Sequence, residues 1–347
     1  MPSGRERLLI PLLATLVASV QWLPMLRDPA STGFGDWQMI HHNWEAAYVS
    51  LSRFGEWPLW DPFHCGGVPI FGNPESQVYA PWFWLSFALG TVLAVKLMLL
   101  GHVVIALTGV YWLCRCCYRL QPASAALAAV VWGCAGWFVW DGAGGHATFF
   151  PFTFAPWLSL LIRRQREPVR EAAGVAALLV LTLLEGGTYP LPYFVLFVAF
   201  ELAVRAFSER RPGASLRFAV VSFGLLGVSG AIRLVPIYLS LSAHPRAVPN
   251  DDVLGLSDVW QMLTAREHAW RVPGHPFVWA EYGSYVGVLA LLLAALGLPW
   301  AVRRGRRQLL LGLLVWGSFM LGNWGPVAPF SLLHRLPVYD SLRVPSR

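Results

Sequence analysis

The sequence predicts an all-α, polytopic membrane protein of about nine transmembrane helices with a structured first outer loop. Three observations predict it. The first is composition: 56% of the 347 residues are hydrophobic and 13% are charged, where soluble domains carry about 25% charged residues. The 32 glycines raise the apolar share to roughly 65%, against about 45–50% in soluble domains. Mean hydropathy is +0.52. These values exclude a soluble globular enzyme, a disordered chain and a nucleic-acid-binding domain. The second is the recurrence of apolar stretches at bilayer length, since a hydrocarbon core roughly 30 Å thick needs about 20 residues of helix. The third is the placement of arginine, which alternates along the chain between dense and sparse segments.

The predicted spans are 8–25, 96–113, 124–140, 147–162, 172–186, 189–204, 218–239, 283–302 and 308–321. Three of them (147–162, 172–186 and 308–321) are short. Residues 81–93 are apolar but too few to cross, and read as an interfacial or re-entrant helix. The first stretch begins like a signal peptide, with Arg5 and Arg7 ahead of it. It runs longer than a signal core, and no small-residue cleavage site follows Trp22-Leu23-Pro24, so it reads as a retained helix.

With a cytoplasmic N-terminus, segments 1–7, 115–122, 163–171, 205–217 and 303–307 lie inside and hold sixteen of the chain's arginines. The much longer outer segments hold eight, which is the positive-inside pattern. Eight of the nine histidines fall outside, His102 being the exception. The net charge of +7 is therefore a topology signal and implies no nucleic-acid or other polyanion partner. Lys96 is the only lysine, a compositional bias with no functional reading. The chain reads as a single transmembrane domain, 1–347, with long outer segments at 26–80, 242–282 and 322–347; the inner loops are too short to build a site. Cys114, Cys116 and Cys117 read as small residues at an inner helix end. Cys65 is the only outer cysteine, so no external disulfide is expected.

Candidate chemistry collects in the first outer loop. Trp37, Ile40, Trp44, Tyr48, Leu51 and Phe54 recur at gaps of three and four, which predicts an amphipathic helix whose aromatic content suits the membrane interface. Asp36 immediately precedes it. Its carboxylate reads either as the helix N-cap or as a general base or metal ligand beside the bilayer. His41 and His42 point about 100° apart on that helix, so at most one faces Asp36. The Pro- and Gly-rich run that follows, with Trp60, Asp61 and Glu75, predicts a fixed, turn-rich loop. Asp61 and Glu75 read as turn acceptors or as site carboxylates.

The order of these pieces carries a resemblance. Gly35-Asp36 after the first span, the amphipathic helix, Pro58-Leu59-Trp60-Asp61-Pro62, Gly66-Gly67-Val68-Pro69 and Asn73-Pro74 leading to Tyr79 and Pro81 resemble the bacterial YfhO-like membrane proteins, which belong with the GT-C superfamily of lipid-linked-sugar glycosyltransferases. Gly145-His146 leading to Ala155-Pro156-Trp157-Leu158, Leu234-Val235-Pro236 with Arg246, Tyr285-Val286-Gly287, and Leu342-Arg343-Val344-Pro345-Ser346-Arg347 resemble later segments of the same family. The resemblance covers nearly the whole chain. Family members continue past the last motif into further spans, whereas this sequence stops at Arg347, so a truncated chain, or one completed by a helper, is expected.

The resemblance implies a GT-C-like core and an enzyme that takes a sugar from a polyprenyl-phosphate donor to a cell-envelope glycan or protein at the outer face of the bacterial inner membrane. Asp36 matches the position of the family's acidic residue and is the expected catalytic base. Arginine suits the leaving phosphate because its guanidinium bonds oxygens in pairs. Arg246, Arg343 and Arg347 are outer candidates. Arg233 lies within a span, where a charge is costly, and is expected to be functional or paired, with Glu185 as the candidate partner. His41, Trp60, Asp61, Glu75 and His146 complete the expected substrate-binding set. A divalent cation stays open as a cofactor, since Asp36 and His41 fall short of a full ligand set. Two other classes stay open: a transporter or flippase for a lipid-linked solute, and a non-catalytic assembly subunit.

Overall fold

The computed structural model describes residues 4–64, 66–164, 166–246, 248–249, 251–266, 272, 274–276, 278–303 and 307–345. Cys65 and Arg347, both singled out in the sequence, lie outside the described residues. The chain is mostly helical with almost no sheet. Among the described residues, four helices are long and apolar enough to cross a membrane: Thr91–Cys116, Pro122–Gly144, Pro190–Glu209 and Pro212–Ala243. The other expected spans are shorter or interrupted, and their sequences say why. Gly4–Gln21 carries Arg5, Glu6 and Arg7 in its first turn and hands over at Trp22 to Leu23–Arg27. The stretch around Pro151 is a 3-10 helix, Ala147–Phe154, before an α-helix, Ala155–Arg164; an internal proline removes one α-type donor and clashes with the preceding turn. Pro168–Leu184, Val288–Arg303 and Arg307–Met320 are regular but short.

The helices expose apolar side chains along their length. Leu8, Leu12 and Leu16 of the first helix and Val228, Ile232 and Leu239 of Pro212–Ala243 are more than half exposed. In water such stripes would invite association; against lipid they lose nothing, so the exposed faces are compatible with a membrane protein.

The chain divides into two compact units, one of Met1–Gly133 with Gly142–His244, the other of Cys134–Asp141 with Pro245–Arg347. In the first unit, Thr91–Cys116 packs against Gly4–Gln21, Pro122–Gly133, Ala155–Arg164 and the 3-10 helix Ala147–Phe154. A core of Phe154, Leu158, Ile162, Val175, Leu179, Phe194, Val198 and Phe218 joins the helices that follow. The loop helix runs Trp37–Val49, as the apolar spacing predicts, and continues as one π-helical turn, Ser50–Phe54. Its Trp37, Ile40 and Trp44 are buried. A two-residue hairpin pairs Trp60 with Pro69 and Asp61 with Val68. The stretch expected to lie at the interface is a 3-10 helix, Pro81–Leu85, leading into Ser86–Leu89.

The second unit contains the helices Leu256–Thr264, Trp279–Tyr282, Val288–Arg303, Arg307–Met320 and Pro329–Leu333, and an isolated antiparallel bridge pairs Val253 with Gly322. Leu254, Met262, Val272, Trp279, Tyr282 and Val344 form its core.

Candidate functional site

Glycines build the site around Asp36. The Gly33–Trp37 turn lies flush on the backbone of residues 142–145. Phe34 N–H donates to Ala143 O at 3.0 Å and Asp36 N–H to Gly144 O at 2.8 Å. The Trp37 indole N–H donates to Gly142 O at 2.8 Å. Gly145 sits at φ +78°, and a Cβ there would fall 2.3 Å from Trp37 N. Only glycine supplies both that conformation and that approach.

Asp36 occupies the N-cap position, yet its side chain makes no cap hydrogen bond. The carboxylate is 56% exposed, and its Oδ2 lies 3.8 Å from Nε2 of the nearly buried His146. The His146 ring meets Phe149 edge-on, and Phe149 contacts Tyr189. Asp36 and His146, remote in sequence, are thus brought together on hydrogen-bonded backbone. The arrangement can take a proton from an incoming hydroxyl, because a half-exposed carboxylate that its own helix does not use is accessible.

The other expected residues divide into groups. His41 is partly buried and makes no side-chain hydrogen bond or ion pair among the described residues. Its neighbour His42 is the one engaged: Nε2 lies 2.6 Å from Oδ2 of Asp61, which is buried at 1% exposure. Asp61 Oδ1 accepts from Phe63 N–H at 2.9 Å, and the His64 ring lies 5.5 Å from that of His42. Asp61 is therefore a turn acceptor that also pins the hairpin to the loop helix. Trp60 is half exposed on the hairpin with Gly67 under its ring. Glu75 N–H donates to Asn73 Oδ1 at 3.0 Å, closing a turn whose carbonyl presses on Gly186.

Arg233 and Glu185 do not pair with each other. Arg233, 1% exposed, turns its guanidinium onto the loop. It donates to the carbonyls of Phe71, Asn73 (3.1 Å) and Ser76 (3.3 Å) and lies over the Tyr79 ring at 4.5 Å. The Tyr79 hydroxyl donates to Pro58 O at 3.0 Å. Burial pushes Tyr79 up to about 12, only partly offset by Arg233. Glu185, 2% exposed, accepts from the Trp82 indole at 2.9 Å and lies 3.2 Å from Nε2 of buried His102, off the line of a hydrogen bond. His102 Nδ1 lies 2.8 Å from Thr153 Oγ1. The Gln77 amide donates to Glu185 O and accepts from the Trp44 indole. This network ties the loop helix, through Gln77, to the bundle.

Arg246 and Arg343 belong to the second unit, where Arg343 lies 3.7 Å from Glu281. The sequence pattern does not mark His42, His64 or His102 as site residues. His102 carried a signal, being the only histidine inside a span; nothing local distinguishes His42 from His41. Among the described residues no three His, Cys, Asp or Glu side chains are grouped to hold a metal ion. No protein-family model, curated protein or solved structure matches the chain.

Proposed function

We propose that the chain is a multi-pass membrane glycosyltransferase of the GT-C type. It transfers a sugar from a polyprenyl-phosphate donor to a cell-envelope acceptor at the outer face of the bacterial inner membrane, with the N-terminus inside and about nine passages of the bilayer. The observation that carries this reading is Asp36: a carboxylate at a helix N-cap that its own helix does not use, more than half exposed and beside His146. The sequence resemblance supplies the substrate class.

In this reading Asp36 takes the proton of the acceptor hydroxyl. The acceptor oxygen bonds the anomeric carbon as the carbon–oxygen bond to phosphate breaks, and that electron pair leaves with the lipid phosphate. His146 positions Asp36 or the acceptor. Arg233 and Glu185 act as scaffold: the Arg233 guanidinium donates to loop carbonyls, and Glu185 accepts from the Trp82 indole. The arginine asymmetry supports the orientation.

The test is transfer from a radiolabelled polyprenyl-phosphate sugar in membranes containing the wild-type chain or Asp36→Asn. The variant is expected to lose roughly 10²- to 10⁴-fold in rate, as removal of a general base does, with His146→Gln less affected. Equal transfer by correctly inserted wild type and Asp36→Asn removes Asp36 as the base. Absence of transfer by wild type favours the assembly-subunit reading.

A further inference from the structure

The second unit holds a cleft that the transfer reading does not use. Leu254, Met262, Val272 and Trp279 form its apolar lining, and Asp258, Gln261 and Tyr282 its polar edge. Its volume is about 140 Å³, close to the roughly 150 Å³ cavity that accepts a six-carbon ring.

The polar edge is held from behind. The Tyr282 hydroxyl donates to Oδ1 of buried Asp252 at 2.8 Å. His275 stands between two carboxylates, 3.9 Å from Asp252 Oδ1 and 3.4 Å from Asp258 Oδ2, with its ring against Tyr282. Asp258 Oδ2 also accepts from Gly255 N–H at 2.7 Å. Its Oδ1 and the amide of Gln261 have no partner among the described residues. The cleft therefore offers a fixed acceptor and a neutral donor–acceptor beside an apolar surface.

That combination selects among small ligands. A pyranose has an apolar face of C–H bonds and a rim of hydroxyls that both donate and accept. A bare cation would suit Asp258 but would find His275 sharing that carboxylate and only a neutral amide beside it. An anion would meet Asp258 directly. We propose that this cleft is a monosaccharide-binding site, with the ring against the apolar lining and its hydroxyls on Asp258 Oδ1 and Gln261. The site stands independently of the transfer reading.

The experiment uses the full chain purified in a sugar-free detergent and titrated separately with D-glucose, D-galactose and N-acetylglucosamine, read by saturation-transfer NMR on the sugar protons. Transfer to the ring protons of at least one sugar is expected. Gln261 is exposed, so its variants keep the fold. Gln261→Ala is expected to weaken binding about five-fold, one net hydrogen bond, and Gln261→Trp to abolish it by covering the mouth. No saturation from any of the three sugars overturns the proposal, as does binding that neither variant changes. Tetramethylammonium binding without sugar binding, lost in Gln261→Trp, overturns it in favour of a cation site. Asp36→Asn is expected to leave sugar binding unchanged. Sugar binding by a wild-type chain that transfers nothing sinks the transfer reading and leaves this one standing.

Discussion

Arg233 shows how one side chain can fix a loop that has little regular structure of its own. Its guanidinium spans three carbonyls that a smaller donor could not reach together. Arg233→Met leaves them without donors at about 1–3 kcal/mol each, partly offset by removing a desolvated charge. A net loss of about 2–4 kcal/mol is expected, with new protease cleavage within 58–76 as the local readout. Arg233→Lys keeps the charge but not the fork and is expected to release the same loop. Asp252 gives a second residue-scale expectation. Burial raises its carboxyl above the ordinary range, against the opposing pull of Tyr282 and His275. A group raised in the folded state stabilises the fold below its unfolded value and loses that contribution as pH rises through its folded value. The thermal midpoint is therefore expected to fall as pH rises through the carboxylate range. Asp252→Asn, which keeps an acceptor for Tyr282, is expected to remove that slope. The sequence located Arg233 as a costly intramembrane charge, but its partners are 157 to 162 residues away. No local pattern encodes that separation, and charge alone points to Glu185, which instead accepts from Trp82.

Elements were more legible than partners. The Trp37–Val49 helix follows from apolar gaps of three and four, because burying one face of a helix imposes that period. The helix after it ends at Gly55 in the left-handed region, where the Pro- and Gly-rich run begins. Apolar composition predicts a plain span over 147–162 and hides the change of helix type at Ala147–Phe154. The Asp36 turn depends on an element pair: Gly33–Trp37 against the end of the Gly136–Gly144 helix and Gly145. Gly145→Ala must place a Cβ 2.3 Å from Trp37 N in an unfavourable conformation. It is expected to displace Asp36 and to lower the proposed sugar transfer about a hundred-fold, the penalty of an ångström-scale misplacement. At Gly144 a Cβ would meet only the His146 ring at 3.4 Å. Gly144→Ala is therefore expected to retain most activity. Equal damage by the two variants would mean that close packing at this turn does not position the carboxylate.

For the whole molecule, spanning and sidedness are separate physical questions. Among the described residues, four helices meet the requirement of length and apolarity directly. The eight 3-10 residues of Ala147–Phe154 and the ten α-helical residues of Ala155–Arg164 together reach about 31 Å when coaxial, near the hydrocarbon thickness. Sidedness in the proposed orientation is checked with reporter fusions. Fusions after Arg119 and Arg210 are expected to report the cytoplasm, and fusions after Glu56 and Asp258 the outside. A cytoplasmic signal after Glu56 would reverse the proposed face of the Asp36 site. By itself the sequence determined a helical, strongly apolar chain with helices fit for a membrane, and the helical face of the first long loop. These follow from composition and period, which act over a few residues. Tertiary structure alone decided that the Asp36 carboxylate is not a cap and meets His146, that His42 and not His41 holds Asp61, and that Arg233 clasps a loop while Glu185 meets His102. It also decided that Asp252, Asp258, His275 and Tyr282 surround one cleft edge. Each of these is a contact made when separate segments pack, and its geometry is set by the whole chain's burial of apolar surface.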